Sequence, residues 1–494
     1  MKTIMYFLCI IGFLFFGSHT VFAEISDHMT LDTRVSSETV TASAVAGAIN
    51  VDGKNYQQIG IRAEFPIGKF GLGIDCQLLF DDQGNVRKED WDEFEDYLNL
   101  IYYVRWAHKG DPFYTKVGGL DFSSLGYGII LNGYTNMIEY PTYKRIGMEM
   151  SFESEKLGGE LFLNDYKELI ADKPGLLVGA RLTYKVFGDL TIGVTVVKDF
   201  NEYNGLRDTD GDDVPDEIDY DMDNEEIATE LDYWTIGKNA QSDTIELMIR
   251  DGLIDPTTKK ELQTYFNEKL STSTVFGADI SYPLLKRDGM TLDIYGQAAK
   301  IKDFGWGFSA PGLRLLLGPI KFLAEYRYSQ DEFLFGYYNS TYELERATFI
   351  KKEDSSWDII TKEMTLKTVE KMDGYLVGAG ANLGNIVEIN ASYQDLSGSN
   401  DTNRSIYGEI KLNKNVVPKI STAKLYYYQN NVENFSEWKT PGTVMGYIIG
   451  FGLTSGASVN FNFRYTFEDK NGDGIIDGEE ETLKSIGIGT TVVF

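Results

Sequence analysis

The sequence predicts an all-β fold, a transmembrane antiparallel β-barrel of about 20 strands, within a range of about 16 to 20. Three observations predict it. Apolar and polar residues alternate at period two along stretch after stretch. Beyond the N-terminal leader no run of about 18 apolar residues occurs, so no helix is read as spanning a bilayer. The connections between alternating stretches are short and long in turn along the chain.

The alternation is clearest at three places. Val459, Phe461, Phe463, Tyr465 and Phe467 share one face against Ser458, Asn460, Asn462, Arg464 and Thr466. Leu98, Leu100, Tyr102, Val104 and Trp106 stand against Asn99, Tyr103 and Arg105. Val387, Ile389, Ala391 and Tyr393 oppose Glu388, Asn390, Ser392 and Gln394. The same pattern runs near 56–66, 143–153, 175–186, 272–282, 319–328 and 404–412. Period two places such residues on opposite faces of a strand. A soluble β-sandwich alternates too, with its apolar face inward. Against it stand the aromatic ends of the apolar faces and the sorted connection lengths.

The last stretch, Leu483 to Phe494, sets Ile486, Ile488, Thr490, Val492 and Phe494 on one face. A closing strand that ends on an aromatic residue resembles the terminal signal of bacterial outer-membrane β-barrels. The resemblance implies a bacterial outer-membrane location and a last strand running towards the periplasm. Working back from it, 468–482, 430–442, 397–403, 329–373, 201–271, 121–142 and 82–96 are outer connections. Short inner turns fall at 454–457, 415–418, 384–385, 318–319, 286–289, 187–189, 154–156, 109–111 and 67–68. Two places are ambiguous, a short element near 311–317 and the segment 121–142. The latter, with Tyr127-Gly128-Ile129-Ile130-Leu131, is too apolar for an outer loop. It reads as an inward-folded constriction, with a mispaired strand pair as the alternative.

Residues 1–23 read as a signal peptide cleaved after Ala23. Lys2 is the charged region, Met5 to Phe16 the apolar one, and Val21-Phe22-Ala23 the small-residue site. An uncleaved anchor helix is the alternative. Cys9 lies inside the apolar region, so no lipid anchor is expected. Residues 24–38 are a polar periplasmic tail, too short for the plug domain of TonB-dependent transporters. The barrel then occupies 39–494, with an extracellular insertion at 201–271 and a long outer loop at 331–373.

Composition narrows the partners. The formal net charge is −29, which argues against nucleic acid. Tyr (31) and Phe (29) are abundant, as an interfacial girdle needs. After the leader only Cys76 remains, in the apolar series Ile74, Cys76, Leu78 and Phe80, so no intramolecular disulfide is expected. Residues 201–271 hold 20 Asp+Glu and 6 Lys+Arg, a net of −14. Within them, Asp255-Pro256 precedes Leu262, Phe266 and Leu270 at helical spacing. Ile245, Met248 and Ile249 mark a second short helix, and these apolar residues are expected to form a small core.

Two segments have calcium-loop spacing. In Asp469-Lys470-Asn471-Gly472-Asp473-Gly474-Ile475-Ile476-Asp477-Gly478-Glu479-Glu480, oxygen donors recur at alternate positions and a carboxylate closes the loop. This resembles an EF-hand loop, which implies Asp469, Asn471, Asp473, Ile475, Asp477 and Glu480 as ligands of structural Ca²⁺. Its flanks are strands, so no helix-opening response is implied. The other, Asp208 to Asp219, resembles the Asp-rich loops of thrombospondin type 3 repeats and implies Asp208, Asp210, Asp212, Asp216 and Asp219 as ligands. Asp213 stands where glycine is expected at the sharp turn. The alternative for both is a solvated acidic surface.

Alternation turns many charges inward: Arg62, Glu64, Asp75, Arg105, Arg145, Glu149, Glu160, Arg181, Asp279, Asp293, Arg314, Lys321, Glu325, Arg327, Glu388, Glu409, Lys411, Lys424 and Arg464. Buried unpaired charge is prohibitive, so they must meet water or one another. An open pore and a salt-bridged, closed interior both satisfy this. Catalysis finds little support: His28 lies in the tail, His108 beside an inner turn, and no nucleophile motif appears. The sequence thus reads as a non-enzymatic, porin-like channel for small hydrophilic solutes or ions, with an acidic, cation-favouring outer face. The alternative is a structural or adhesive surface protein anchored by its barrel. The partners expected are outer-membrane lipid, solutes and copies of the chain in a homo-oligomer.

Overall fold

The computed structural model describes residues 41–493, apart from 52–53, 88–90, 92–99, 138–143, 170–174, 207, 209–211, 217, 223, 352–356, 385, 401, 413–416, 431, 433, 441–442, 454–456, 468–475 and 477–481. The leader, the tail and Phe494 therefore lie outside the described residues. So do the six expected ligands of the 469–480 loop, as does Asp210.

Among the described residues, twenty strands form one sheet. In chain order they are β1 (Thr41–Val51), β2 (Lys54–Ile67), β3 (Phe70–Phe80), β4 (Ile101–Trp106), β5 (Phe113–Gly118), β6 (Gly147–Glu153), β7 (Leu157–Leu163), β8 (Leu177–Phe187), β9 (Leu190–Asp199), β10 (Ser273–Arg287), β11 (Met290–Ile301), β12 (Trp306–Leu317) and β13 (Ile320–Ser329). A separate two-stranded hairpin follows, β14 (Ala347–Lys351) with β15 (Trp357–Thr361). The large sheet resumes with β16 (Met372–Leu383), β17 (Val387–Ser397), β18 (Thr402–Leu412), β19 (Ile420–Asn430), β20 (Thr443–Gly452), β21 (Ala457–Phe467) and β22 (Thr482–Val493).

Every pairing is antiparallel between neighbours in sequence, with β13 passing over the hairpin to β16. β1 also pairs with β22, from Thr41 opposite Val493 to Ala46 opposite Ile488. The ambiguous stretch at 311–317 is the second half of a full strand, β12. The segment 121–142 contributes no strand among its described residues.

The turns follow the expected sorting. One end of the sheet carries only brief connections, such as 68–69, 154–156, 188–189, 288–289 and 318–319. Gly188 and Gly318 make two of these turns at φ of 56° and 55°, a region that costs a side chain energy. The other end carries 81–100, 119–146, 200–272 and 330–371. Three connections there, 52–53, 302–305 and 398–401, are as brief as the inner turns, so the sorting is not complete.

The faces are the reverse of a soluble sandwich. Ile61, Leu182, Val194, Phe276, Ile280, Phe322, Val377, Ile410 and Leu425 are exposed on one side of their strands. Their neighbours Arg62, Arg181, Asp279, Gln297, Glu325 and Gln394 turn to the other. At the long-loop end the exposed face carries an aromatic row. Trp306, Phe308 and Tyr328 lie with ring centroids 5.4–6.1 Å apart, and Tyr375 and Tyr393 are 5.9 Å apart.

The insertion between β9 and β10 contains both helices that its periodicity predicts, α1 (Ser242–Arg250) and α2 (Lys259–Asn267). A capping box starts α2. Thr258 accepts from the Glu261 backbone and the Glu261 carboxylate accepts from Thr258, which satisfies two otherwise orphaned donors. Ile245 and Ile254 are buried, but Leu270 is 70% exposed and lies outside this small core. Among the described residues no helix is long and apolar enough to cross a membrane.

Candidate lumenal site

The barrel interior is not empty. Residues 119–137 leave β5 and fold inward, where they form an apolar core with the inner wall. Leu120, Leu125, Ile129, Ile130, Leu131 and Tyr134 pack with Phe162, Leu177, Val197, Val275 and Ile301. The inward-loop reading of 121–142 thus holds over its described part. A second segment, from the long loop after β13, joins it with Phe333, Tyr337, Tyr338 and Tyr342. The two segments bond backbone to backbone. Gly336 donates to the Ile129 carbonyl at 2.9 Å, and Tyr338 N–H to that of Ile130 at 3.1 Å. These bonds satisfy peptide groups that would otherwise be buried alone. The aromatic density of 333–342 was the available sequence signal for this second segment, as apolar character was for 127–131.

Charged side chains clamp this core at the long-loop end. Arg346 is 1% exposed and makes two bonds to Asp199, Nε to Oδ2 at 2.6 Å and Nη2 to Oδ1 at 2.8 Å. It also donates to the carbonyls of Gly175 and of Asn201, the latter at 3.2 Å. Glu343 lies between Arg346 and Arg145, each 3.5 Å away, and accepts from the Tyr134 hydroxyl. Burial pushes the Glu343 carboxyl up, but the two guanidiniums outweigh it and hold the group below the usual carboxylate range. Arg145, expected on the strand wall, precedes β6 and belongs to this clamp. Nearby, Glu202 and Glu363 both accept from Ser271 Oγ, at 3.4 and 3.3 Å. Burial first and the Glu202 charge second push Glu363 up to about 7.

The remaining expected wall charges alternate inward as the sequence requires, and most meet a partner. Arg62 reaches Asp75 at 2.5 Å, and Glu64 accepts from the Tyr103 hydroxyl at 3.3 Å. Arg105 donates to the Ala107 carbonyl at 2.5 Å and touches His108 at 3.1 Å. Glu149 accepts from Lys109 at 3.1 Å and from Tyr114 at 2.6 Å. Arg181 bridges Glu160 at 2.6 Å and Asp279 at 2.7 Å. Glu325 and Arg327 pair at 2.8 Å, and Arg327 also donates to Gln394 at 2.6 Å. Asp293 faces Arg314 across β11 and β12, and Glu388 faces Lys411 across β17 and β18. Lys321 and Arg464 are half-buried opposite Gly380 and Gly446.

The tip of the inward segment touches the opposite charges of this wall. Tyr127 stacks on Tyr295 with centroids 3.9 Å apart, and the Arg314 guanidinium lies 5.0 Å from the Tyr127 ring centroid. Gly126 N–H donates to Glu160 at 3.0 Å, and Ile129 N–H to Gln297 at 3.2 Å. The tip is therefore pinned to β7 on one flank and to β11 and β12 on the other. Below it, towards the short turns, lies a cavity of about 420 Å³.

On the insertion between β9 and β10, the Asp208 carboxylate accepts from Asp212 N–H at 3.1 Å and from Asp213 N–H at 2.8 Å. Asp213 takes φ of 66°, so the sharp turn forms without glycine, as aspartate can. Lys259 reaches Asp212 at 3.0 Å. Burial, then the charges of Asp212, Asp216 and Asp208, push Asp219 up to about 6. Among the described residues no three acidic, histidine or cysteine side chains are gathered as a metal cage.

No family model matches the chain, and no curated protein matches it. Among solved structures it is similar to OccK5 (OpdH) of Pseudomonas aeruginosa, at 11% identity and a TM-score of 0.32, over 92% of this chain and 97% of that one. It is also similar to the siderophore receptor PirA of Acinetobacter baumannii, at 9% identity and a TM-score of 0.37, over 94% and 81%. A third is Wzi of Escherichia coli, described as a carbohydrate-binding β-barrel, at 10% identity and a TM-score of 0.30, over 92% and 84%. Likeness this distant leaves function to the residues of the site.

Proposed function

We propose that this chain is a bacterial outer-membrane channel, porin-like, for small hydrophilic solutes. One observation carries the reading: a twenty-stranded antiparallel sheet turns apolar side chains outward and charged ones inward. Only a lipid surround makes that arrangement favourable, because outward apolar surface in water is costly and inward charge needs water or partners. The short-turn end faces the periplasm, and the acidic 201–271 insertion faces outward. Its negative field favours cations at the entrance. The core of 119–137 and 333–342 narrows the lumen along β5–β13, so passage is restricted rather than wide.

Calcium belongs to the same proposal. Asp208, Asp212, Asp216 and Asp219, with Asp210 and the 469–480 loop, supply the hard oxygen donors that Ca²⁺ prefers. Lys259 already gives Asp212 a positive partner, so a bound ion would displace it. The second reading, a barrel that serves as an anchor for outer loops, is favoured by the buried core that ties loop to lumen.

Single-channel recording of the refolded protein in a planar bilayer under a KCl gradient tests the first reading. Stable steps with cation preference are expected. A folded barrel that gives no steps would leave the anchor reading standing instead.

A further inference from the structure

The cavity beneath the inward segment has a chemistry that the channel reading leaves unused. Its walls come from β5 to β10 and from the short turns after β4 and β6, and the segment 123–127 forms its roof. At about 420 Å³ it lies in the range of small-molecule sites.

Of the eight charged residues that line it, six are spent on one another, and Asp111 and Lys156 lie on the turns after β4 and β6. Lys109 pairs with Glu149 at 3.1 Å, Lys185 with Glu153 at 3.1 Å, and Arg181 with Glu160 at 2.6 Å. On the strand walls a ligand carrying a net charge would have to compete with one of these pairs, at a cost greatest at Arg181–Glu160, the most buried of the three. A neutral ligand meets no such penalty. What the walls offer it are hydroxyls and aromatic rings: Ser151 and Thr183 line the cavity, and so do Tyr114 and Tyr127. Carboxylate oxygens held in ion pairs retain lone pairs that accept from a ligand hydroxyl.

We infer that this cavity is a binding site for an uncharged, hydroxyl-rich solute about the size of a mono- or disaccharide. The site lies on the periplasmic side of the constriction, so it holds a solute that has passed the tip of the inward segment. That placement rests on the channel reading; the site itself does not.

Saturation-transfer NMR on the refolded protein in detergent micelles tests it with three probes of matched size: glucose, gluconate and glucosamine. Glucose is expected to bind at least about tenfold more tightly than either charged analogue, about 1.4 kcal/mol. Thr183→Val removes one hydroxyl and should weaken glucose about threefold to tenfold. Thr183→Trp fills the space and should abolish binding, while Leu182→Ala, on the outward face of the same strand, should leave it unchanged. Circular dichroism confirms that each variant is folded. Equal or tighter binding of gluconate or glucosamine overturns the solute class. Glucose binding that survives Thr183→Trp overturns the site, as does no glucose binding at all. Glucose binding without conductance would refute the channel reading and leave the site intact; conductance without binding would do the opposite.

Discussion

Replacing Arg346 by methionine should release the outer segment from the barrel without dissolving the barrel. The guanidinium is almost wholly buried, pairs twice with Asp199 and faces Glu343 at 3.5 Å. Arg346→Met keeps the length of the side chain and removes the charge. Two buried carboxylates are then left with less compensation, Asp199 most of all, since Arg145 still faces Glu343. Breaking a buried pair from one side costs about 3–5 kcal/mol. The sheet is held by its own strand pairings, so the loss falls on the packing of 331–346 against 119–137. At about 1.4 kcal/mol per factor of ten, opening of that packing should become about 10² to 10³·⁵ times more frequent. Hydrogen exchange followed by mass spectrometry reads this directly in peptides from 119–137 and 331–346, with β16–β21 peptides as the internal control. The double variant Arg346→Met with Asp199→Asn should recover part of the protection, because the less compensated of the two buried carboxylates is gone. If Arg346→Met leaves protection of both segments unchanged, the clamp does not hold the lumenal core and the reasoning fails.

Two further outcomes follow from titrating groups in the long connections. Glu363 rises from an ordinary value of 4.5 to about 7, by burial and then by Glu202. A raised carboxyl favours the folded packing while protonated, so that contribution is complete below about 4.5 and is lost as pH rises through about 7. Protease cleavage within 362–370 should therefore increase between pH 5 and 8 (about the span bracketing that shift), and Glu363→Gln should flatten the dependence. Calcium on the 208–219 loop needs ionised carboxylates, and Asp219 is pushed up to about 6. Chelator should increase cleavage of 201–226 and 469–480, and calcium protection should fade as pH drops through about 6; unchanged cleavage would remove calcium from the account.

The strand ladder was legible because each wall residue has one task. Val194 and Phe276 face out, Thr195 and Gly277 face in, and the period of two records the difference. The helices α1 and α2 were legible for the same reason at a different period, and the Thr258–Glu261 box marks where α2 begins. The clamp was not legible. Arg346, Asp199 and Arg145 lie far apart in sequence, and a charge in an outer connection looks solvated until the fold buries it. Arg145 shows the point in reverse. Its neighbours alternate, so it read as a wall residue, yet it stops short of β6 and turns to Glu343. Leu270 had helical spacing but follows the end of α2, where nothing covers it.

The core inside the barrel also constrains how the molecule can be assembled. Hairpins can add to a growing sheet one neighbour at a time, since each contact is local in sequence. The lumenal core cannot form that way: Ile129 and Ile130 wait for Gly336 and Tyr338, some two hundred residues later in synthesis (the order of loop closure that slows folding most). Until β13 has been laid down, the apolar face of 119–137 has no lid, and a half-built sheet must carry it exposed. The ring and its filling must therefore mature together.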